Sequence, residues 1–172
     1  IEELAIDSDR VYVSGFSNGA FMAYTTACFL SNKVAAVAPV SGSLSPEDYE
    51  SCNPQRPLSI IHIHGINDSS IPIQGNDYIT PLQLVSAFWS SFNSCTENVI
   101  VDGEDLNNDG YSWYSEISTN CQNGVSVNFT YLENFDHSWP TSNPEKGYSA
   151  DIDGATFIWE FLSLYDTNGL ID

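Results

Sequence analysis

The sequence predicts an α/β fold: a mostly parallel sheet with flanking helices. Three observations carry this reading. Residues 34–41 (VAAVAPVS) and 58–64 (LSIIHIH) are continuous apolar runs, the pattern of strands buried on both faces of a sheet. Segments with a helical apolar period alternate with such runs, as in successive βαβ units. Near the start, the apolar run 11–14 leads through Gly15-Phe16-Ser17-Asn18-Gly19 into a helical segment, a strand, a sharp turn and a helix.

In order, a strand is expected over 11–15 and a helix over 18–31, with Phe21, Met22, Thr25, Cys28 and Phe29 on its apolar side. Strands follow at 34–41 and 58–64, separated by a loop-rich stretch with three prolines. Thr80-Pro81 reads as a helix start, with Thr80 as N-cap. That helix runs to about residue 93, with Leu84, Ala87, Phe88 and Ser91 along one side. Residues 97–123 are polar and turn-rich, with Asp109-Gly110 as a hairpin signal before 111–117. A strand at 125–132 and a helix from 151 to about 165 complete the series, the helix turning Ala155, Ile158, Trp159 and Leu162 inward.

The chain has 172 residues, with 4 Lys+Arg against 23 Asp+Glu and a net charge of −19. Nucleic acid and anionic membrane surfaces need clustered cations, so neither is expected as a partner. The scattered acids read as a solvated acidic surface. No apolar run approaches the ~20 residues of a membrane span. Ile1-Glu2-Glu3-Leu4 carries neither a basic n-region nor an apolar h-region. The four cysteines, Cys28, Cys52, Cys95 and Cys121, lack the C-x-x-C spacing of a zinc site. Cys28–Cys52 and Cys95–Cys121 are the expected disulfides, which fit an exported, secreted or periplasmic protein. Three connectivities are open to the sequence, and four free thiols as well.

Serine needs an imidazole to take its proton and a carboxylate to hold that imidazole. Ser17 sits at the apex of the turn, between two glycines that leave room for it. Asp68 follows the strand at 58–64 through a turn, where a side chain points to the crevice beyond the strand ends. His137 stands on a loop just past the strand at 125–132. The order Ser, Asp, His is that of one hydrolase class, and intervals of 51 and 69 residues leave space for a crossover in each. His62 and His64 lie inside a strand and read as satisfied core histidines. Asp77 and Asp136 are weaker alternatives to Asp68.

The segments RVYVSGFSNG (10–19), AAVAPVSG (35–42), His62-Ile63-His64-Gly65 with Asp68 and Pro72, and His137-Ser138-Trp139-Pro140 resemble the poly(3-hydroxybutyrate) depolymerase and feruloyl esterase family. The resemblance covers nearly the whole chain. It implies an exported α/β-hydrolase, a serine esterase that cleaves feruloyl or acetyl esters of polysaccharide, or a hydroxyalkanoate polyester. It implies a Ser17, Asp68, His137 triad and a cleft lined by Trp139. Phe16 is a further candidate substrate contact, although a core aromatic accounts for it equally. The cysteine positions are similar to the family's disulfides, which supports the pairing above. Two positions depart from the family: Asp136 and Thr141 stand where glycines are usual, and Asp136 brings a negative charge beside the base.

Acyl transfer also needs an oxyanion hole. One donor is the N–H of Asn18; the other comes from a loop after an earlier strand. The elbow lies only seventeen residues into the chain. Residues 1–172 are therefore expected to form a single catalytic domain, the C-terminal portion of the fold without its N-terminal strands. A missing N-terminal segment or self-association would then cover the strand edge from Val11 to Gly15. The alternative expectation is a catalytically impaired fragment, or a polymer- or polysaccharide-binding module of the same fold. No cofactor is expected. Asp105, Asn107, Asp109 and Glu116 match the spacing of a calcium loop, although a polar hairpin turn accounts for the same residues.

Overall fold

The computed structural model describes residues 5–106, 108–141 and 151–171. Its strands are β1 (Tyr12–Phe16), β2 (Ala36–Val40), β3 (Ser59–Gly65), β4 (Glu97–Asp102), β5 (Trp113–Thr119), β6 (Val127–Leu132), β7 (Tyr165–Asp166) and β8 (Gly169–Leu170). Its α-helices are α1 (Asn18–Phe29), α2 (Pro46–Ser51), α3 (Leu82–Phe92) and α4 (Gly154–Leu162). The main sheet has the order β1-β2-β3-β6-β5-β4. The first four of these strands run parallel, and β5 and β4 are added antiparallel. β7 and β8 form a separate hairpin.

Every residue of β2, β3 and β6 is buried, because helices cover both faces of this part of the sheet. One face packs Tyr24, Leu58, Ile60, Val85, Trp89 and Phe129 together, joining α1 and α3 to the sheet. The other packs Ile61, Ile63, Leu132, Ile158 and Leu162, joining α4. Each fully buried aliphatic side chain contributes about 1.5–3 kcal/mol.

The helices bury some of the expected residues, among them Cys28, Ile158 and Leu162, but turn partly different faces inward. α1 buries Ala20, Ala23, Tyr24, Ala27 and Cys28, while Met22 and Phe29 face solvent. Small residues bring the helix close to the sheet, as Gly42 also requires: a Cβ there would lie 2.5 Å from that of Ala20. α3 buries Leu82, Val85 and Trp89 and exposes Leu84. Thr80 does not cap it; Pro81 occupies that position, and the Thr80 amide donates to Leu44 O instead. α4 exposes Trp159, and its N-cap is Asp153, which accepts from Thr156 N–H. The loop over 42–57 holds α2, capped by Ser45 with Pro46 in its first turn. β4 and the β7–β8 hairpin had no clear sequence signal.

Both expected disulfides are formed. Cys28–Cys52 ties α1 to the end of α2, and Cys95–Cys121 ties the turn after α3 to the end of β5. Closing loops of this length contributes about 3 kcal/mol each in the chain-entropy account. Among the described residues β1 lies at one edge of the main sheet, hydrogen-bonded to β2. No helix among the described residues is long and apolar enough to cross a membrane.

Candidate active site

The parallel strands end at the same edge of the sheet, and three of them deliver one functional side chain each. β1 runs directly into Ser17, β3 into Asp68, and β6 into His137.

At the end of β1 the chain reverses with no intervening loop. Ser17 takes φ 56° and ψ −118°, a conformation rarely held by a residue with a side chain. A Cβ on Gly15 would lie 2.2 Å from the carbonyl oxygen of Gly19, so strand and helix touch at the elbow. The ladder carries on through the turn: Ser17 N–H donates to Val40 O at 2.9 Å. The Ser17 carbonyl accepts from Ala20 N–H and opens α1. Asn18 is the first residue of that helix, where amides have no intrahelical acceptor and the helix dipole favours negative charge.

The loops after β3 and β6 are zipped together. Ile66 N–H donates to Leu132 O and Asn67 N–H to Phe135 O. Gly65 permits this approach, since a Cβ there would lie 2.3 Å from Phe135 O. The Asp136 carboxylate closes the zipper, accepting from Ser69 N–H, Ser69 Oγ–H and His137 N–H. These bonds hold it below the usual carboxylate range. Asp136 thus clamps the backbone of both loops.

Within this frame His137 Nδ1 lies 2.8 Å from Asp68 Oδ2, and His137 Nε2 lies 2.9 Å from Ser17 Oγ. A carboxylate only accepts, so Nδ1 carries the proton and Nε2 is left to accept from the serine hydroxyl. Asp68 Oδ1 accepts from Ser70 N–H and Ile71 N–H. Burial raises the Asp68 pKa, but hydrogen bonds from His64, Ile71 N–H and His137 outweigh it and bring it to about 2. The Asp68 side chain is fully buried, whereas His137 keeps 20% exposure, so the ring is reachable from the cleft. Phe16 packs on the His137 ring at 4.8 Å and meets Trp139 edge-on at 6.5 Å. Trp139 is itself exposed beside this cluster.

His62 and His64 are fully buried and hydrogen-bonded, as core histidines should be. Sequence reasoning missed that His64 Nε2 also comes within 3.4 Å of Asp68 Oδ2. The signal was the spacing, His64 standing four residues before Asp68.

The remaining acidic candidates fall in two places. Asp105 and Asp109 share a group with Asp151, carboxylate oxygens within 4.8 Å of one another. Asp105 accepts from Asp109 N–H and Gly110 N–H, and Asp151 from Leu106 N–H. Glu116 stands on β5 instead, lining a concavity of about 660 Å³ between α3 and the β5–β6 strands that none of Ser17, Asp68 and His137 lines. Asn107 lies outside the described residues.

A parallel sheet that carries serine, aspartate and histidine at its strand ends, in this chain order, defines an α/β-hydrolase. The chain belongs to the Phospholipase/Carboxylesterase family, whose model matches residues 1–103. It is 32% identical over 168 residues to the bifunctional acetylxylan esterase/xylanase XynS20E of Neocallimastix patriciarum, covering 98% of this chain and 22% of that protein. It is 29% identical over 144 residues to feruloyl esterase B of Piromyces equi, covering 77% and 26% respectively. The chain therefore spans about a quarter or less of the length of these two relatives. In structure it resembles the acetyl xylan esterase from Aspergillus awamori, with a TM-score of 0.61 at 14% identity over 95% of this chain and 62% of that one. It also resembles the esterase PE8, with a TM-score of 0.53 at 16% identity over 93% and 54%.

Proposed function

We propose that this chain carries the catalytic centre of a secreted carboxylic ester hydrolase acting on feruloyl or acetyl esters borne by polysaccharide. The observation that carries the reading is the unbroken hydrogen-bond series from Asp68 through His137 to Ser17 Oγ. Ser17 Oγ attacks the ester carbonyl while His137 Nε2 takes its proton. The tetrahedral oxyanion is met by the Asn18 N–H at the start of α1. His137 returns the proton to the leaving alcohol, and an acyl-serine remains. Water, deprotonated by the same imidazole, releases the acid and restores Ser17. Asp68 stays ionised throughout and stabilises the imidazolium. No step requires a cofactor.

Relatives named acetylxylan esterase and feruloyl esterase support the polysaccharide-linked substrate over a polyester. The exposed Trp139 beside Phe16 gives a flat apolar surface suited to an aromatic acyl group. Two disulfides suit an oxidising compartment. A further strand, from a longer chain or a second copy, would extend the main sheet at β1, and native mass and scattering measurements distinguish the two.

Initial rates on p-nitrophenyl acetate and methyl ferulate test the reading. Hydrolysis by the wild-type chain and none above background by Ser17→Ala is expected. A folded wild-type chain inert toward both esters would instead support a binding module of the same fold.

A further inference from the structure

Beside Asp68 lies a chain of buried polar groups that the reaction does not use. Tyr24 on α1 and His62 and His64 on β3 all have no solvent exposure. Tyr24 Oη lies 2.9 Å from His62 Nδ1, and His62 Nε2 lies 2.9 Å from His64 Nδ1. His64 Nε2 lies 2.8 Å from Ile71 O and 3.4 Å from Asp68 Oδ2.

One atom sets the direction of the whole series. Ile71 O is a carbonyl and can only accept, so His64 Nε2 carries its proton. In neutral His64, Nδ1 is then a bare acceptor, and His62 Nε2–H must donate to it. His62 Nδ1 is bare in turn and accepts from Tyr24 O–H. Every donor points toward the Asp68 turn. Burial disfavours the charged form of His62.

Burying three polar side chains costs free energy unless each is paired, and these pair with one another and with the turn that holds Asp68. That turn is gripped on both sides of one residue: Ile71 N–H donates to Asp68 Oδ1, while Ile71 O accepts from His64. The second oxygen of Asp68, the one that accepts from His137 Nδ1, faces the same His64 N–H. The face of the His62 ring stacks on Phe129, with centroids at 4.9 Å.

We propose that His64 is a positioning residue for Asp68, its tautomer fixed by the Ile71 carbonyl and matched by His62 and Tyr24. It touches no substrate and moves no proton. It keeps the 68–71 turn and Asp68 Oδ2 where His137 must find them, and so acts on the chemical step. This rests on the triad reading above.

The test combines side-chain mimicry with a direct tautomer measurement. The amide nitrogen of Gln reaches the place of Nε2, whereas Asn reaches only that of Nδ1. His64→Gln therefore keeps a donor for Ile71 O and Asp68, and His64→Asn loses it. With p-nitrophenyl acetate, His64→Gln is expected to stay within about 3-fold of wild-type kcat. His64→Asn is expected to fall on the order of 10–100-fold at unchanged KM, the scale of a misplaced catalytic group. Equal losses in the two folded variants, or full activity in His64→Asn, would overturn the proposal. The chain has three histidines, so 15N-histidine labelling gives six ring nitrogens. His62 and His64 should each show a protonated Nε2 and a bare Nδ1. A His64 proton on Nδ1 overturns the proposal even if no variant folds. Ser17→Ala separates the two readings: residual full activity there sinks the triad, whereas a dead Ser17→Ala with indistinguishable His64 variants sinks only the positioning role.

Discussion

Strands β3 and β6 are buried along their whole length and end in the loops that carry Asp68 and His137, whereas β4 at the far edge is exposed at every position and supplies no part of the site. The difference follows from strand direction. Parallel strands send all their outgoing loops to one edge, so side chains distant in sequence converge there. The antiparallel β4–β5 pair breaks that pattern, and the loop joining those strands holds the Asp105 and Asp109 carboxylates instead. Chemistry is concentrated in the parallel half, and substitutions in the two halves should have different consequences.

Removal of the Ser17 hydroxyl or the His137 ring should produce the largest effect. Ser17→Ala and His137→Ala are each expected to lower kcat by about 10⁶-fold, with circular dichroism unchanged. Asp68→Asn comes next, at about 10⁴-fold, because an amide can present N–H to His137 Nδ1 and favour the wrong tautomer. Gly15→Ala should act on stability. Its Cβ would enter the Gly19 backbone, and a loss of about 3 kcal/mol or more in urea unfolding is expected. A stable Gly15→Ala protein would mean that the elbow is looser than these contacts require.

A smaller effect tests the electrostatics of Asp68. Its pKa is lowered from 3.8 to about 2 on folding, so the ionised group stabilises the fold above about pH 4, and that contribution is lost as pH falls toward 2. The Tm advantage of wild type over Asp68→Asn should therefore shrink through this window. A gap independent of pH would contradict the hydrogen bonding described. In the other half of the sheet, Ile100→Ser on exposed β4 should change stability by no more than about 0.5 kcal/mol and leave kcat untouched. A comparable loss of activity there would break the contrast between the halves.

The buried strands and the three site residues were legible because each left a local mark. Continuous apolar runs announce β2 and β3, and each polar residue of the site follows a strand at a turn. Helix faces were harder to read. α1 packs through alanines, so its larger apolar residues Met22 and Phe29 gave a misleading stripe. β4 escaped because a strand exposed on both faces lacks the alternation that marks a half-buried one. The Tyr24–His62–His64 series could not be read in advance. His-x-His on an apolar strand announces burial, but its partners come from α1 and the 68–71 turn, and a hydrogen bond's direction depends on what lies at its end.

Activation of Ser17 by His137 is what makes the site chemically competent. A fluorophosphonate probe tests it most directly, since such reagents phosphonylate serines whose hydroxyl is polarised by a base. The folded chain should gain one adduct, mapped by peptide mass spectrometry to Ser17 and absent from Ser17→Ala. A folded chain that stays unmodified, or an adduct on any other residue, would contradict the account.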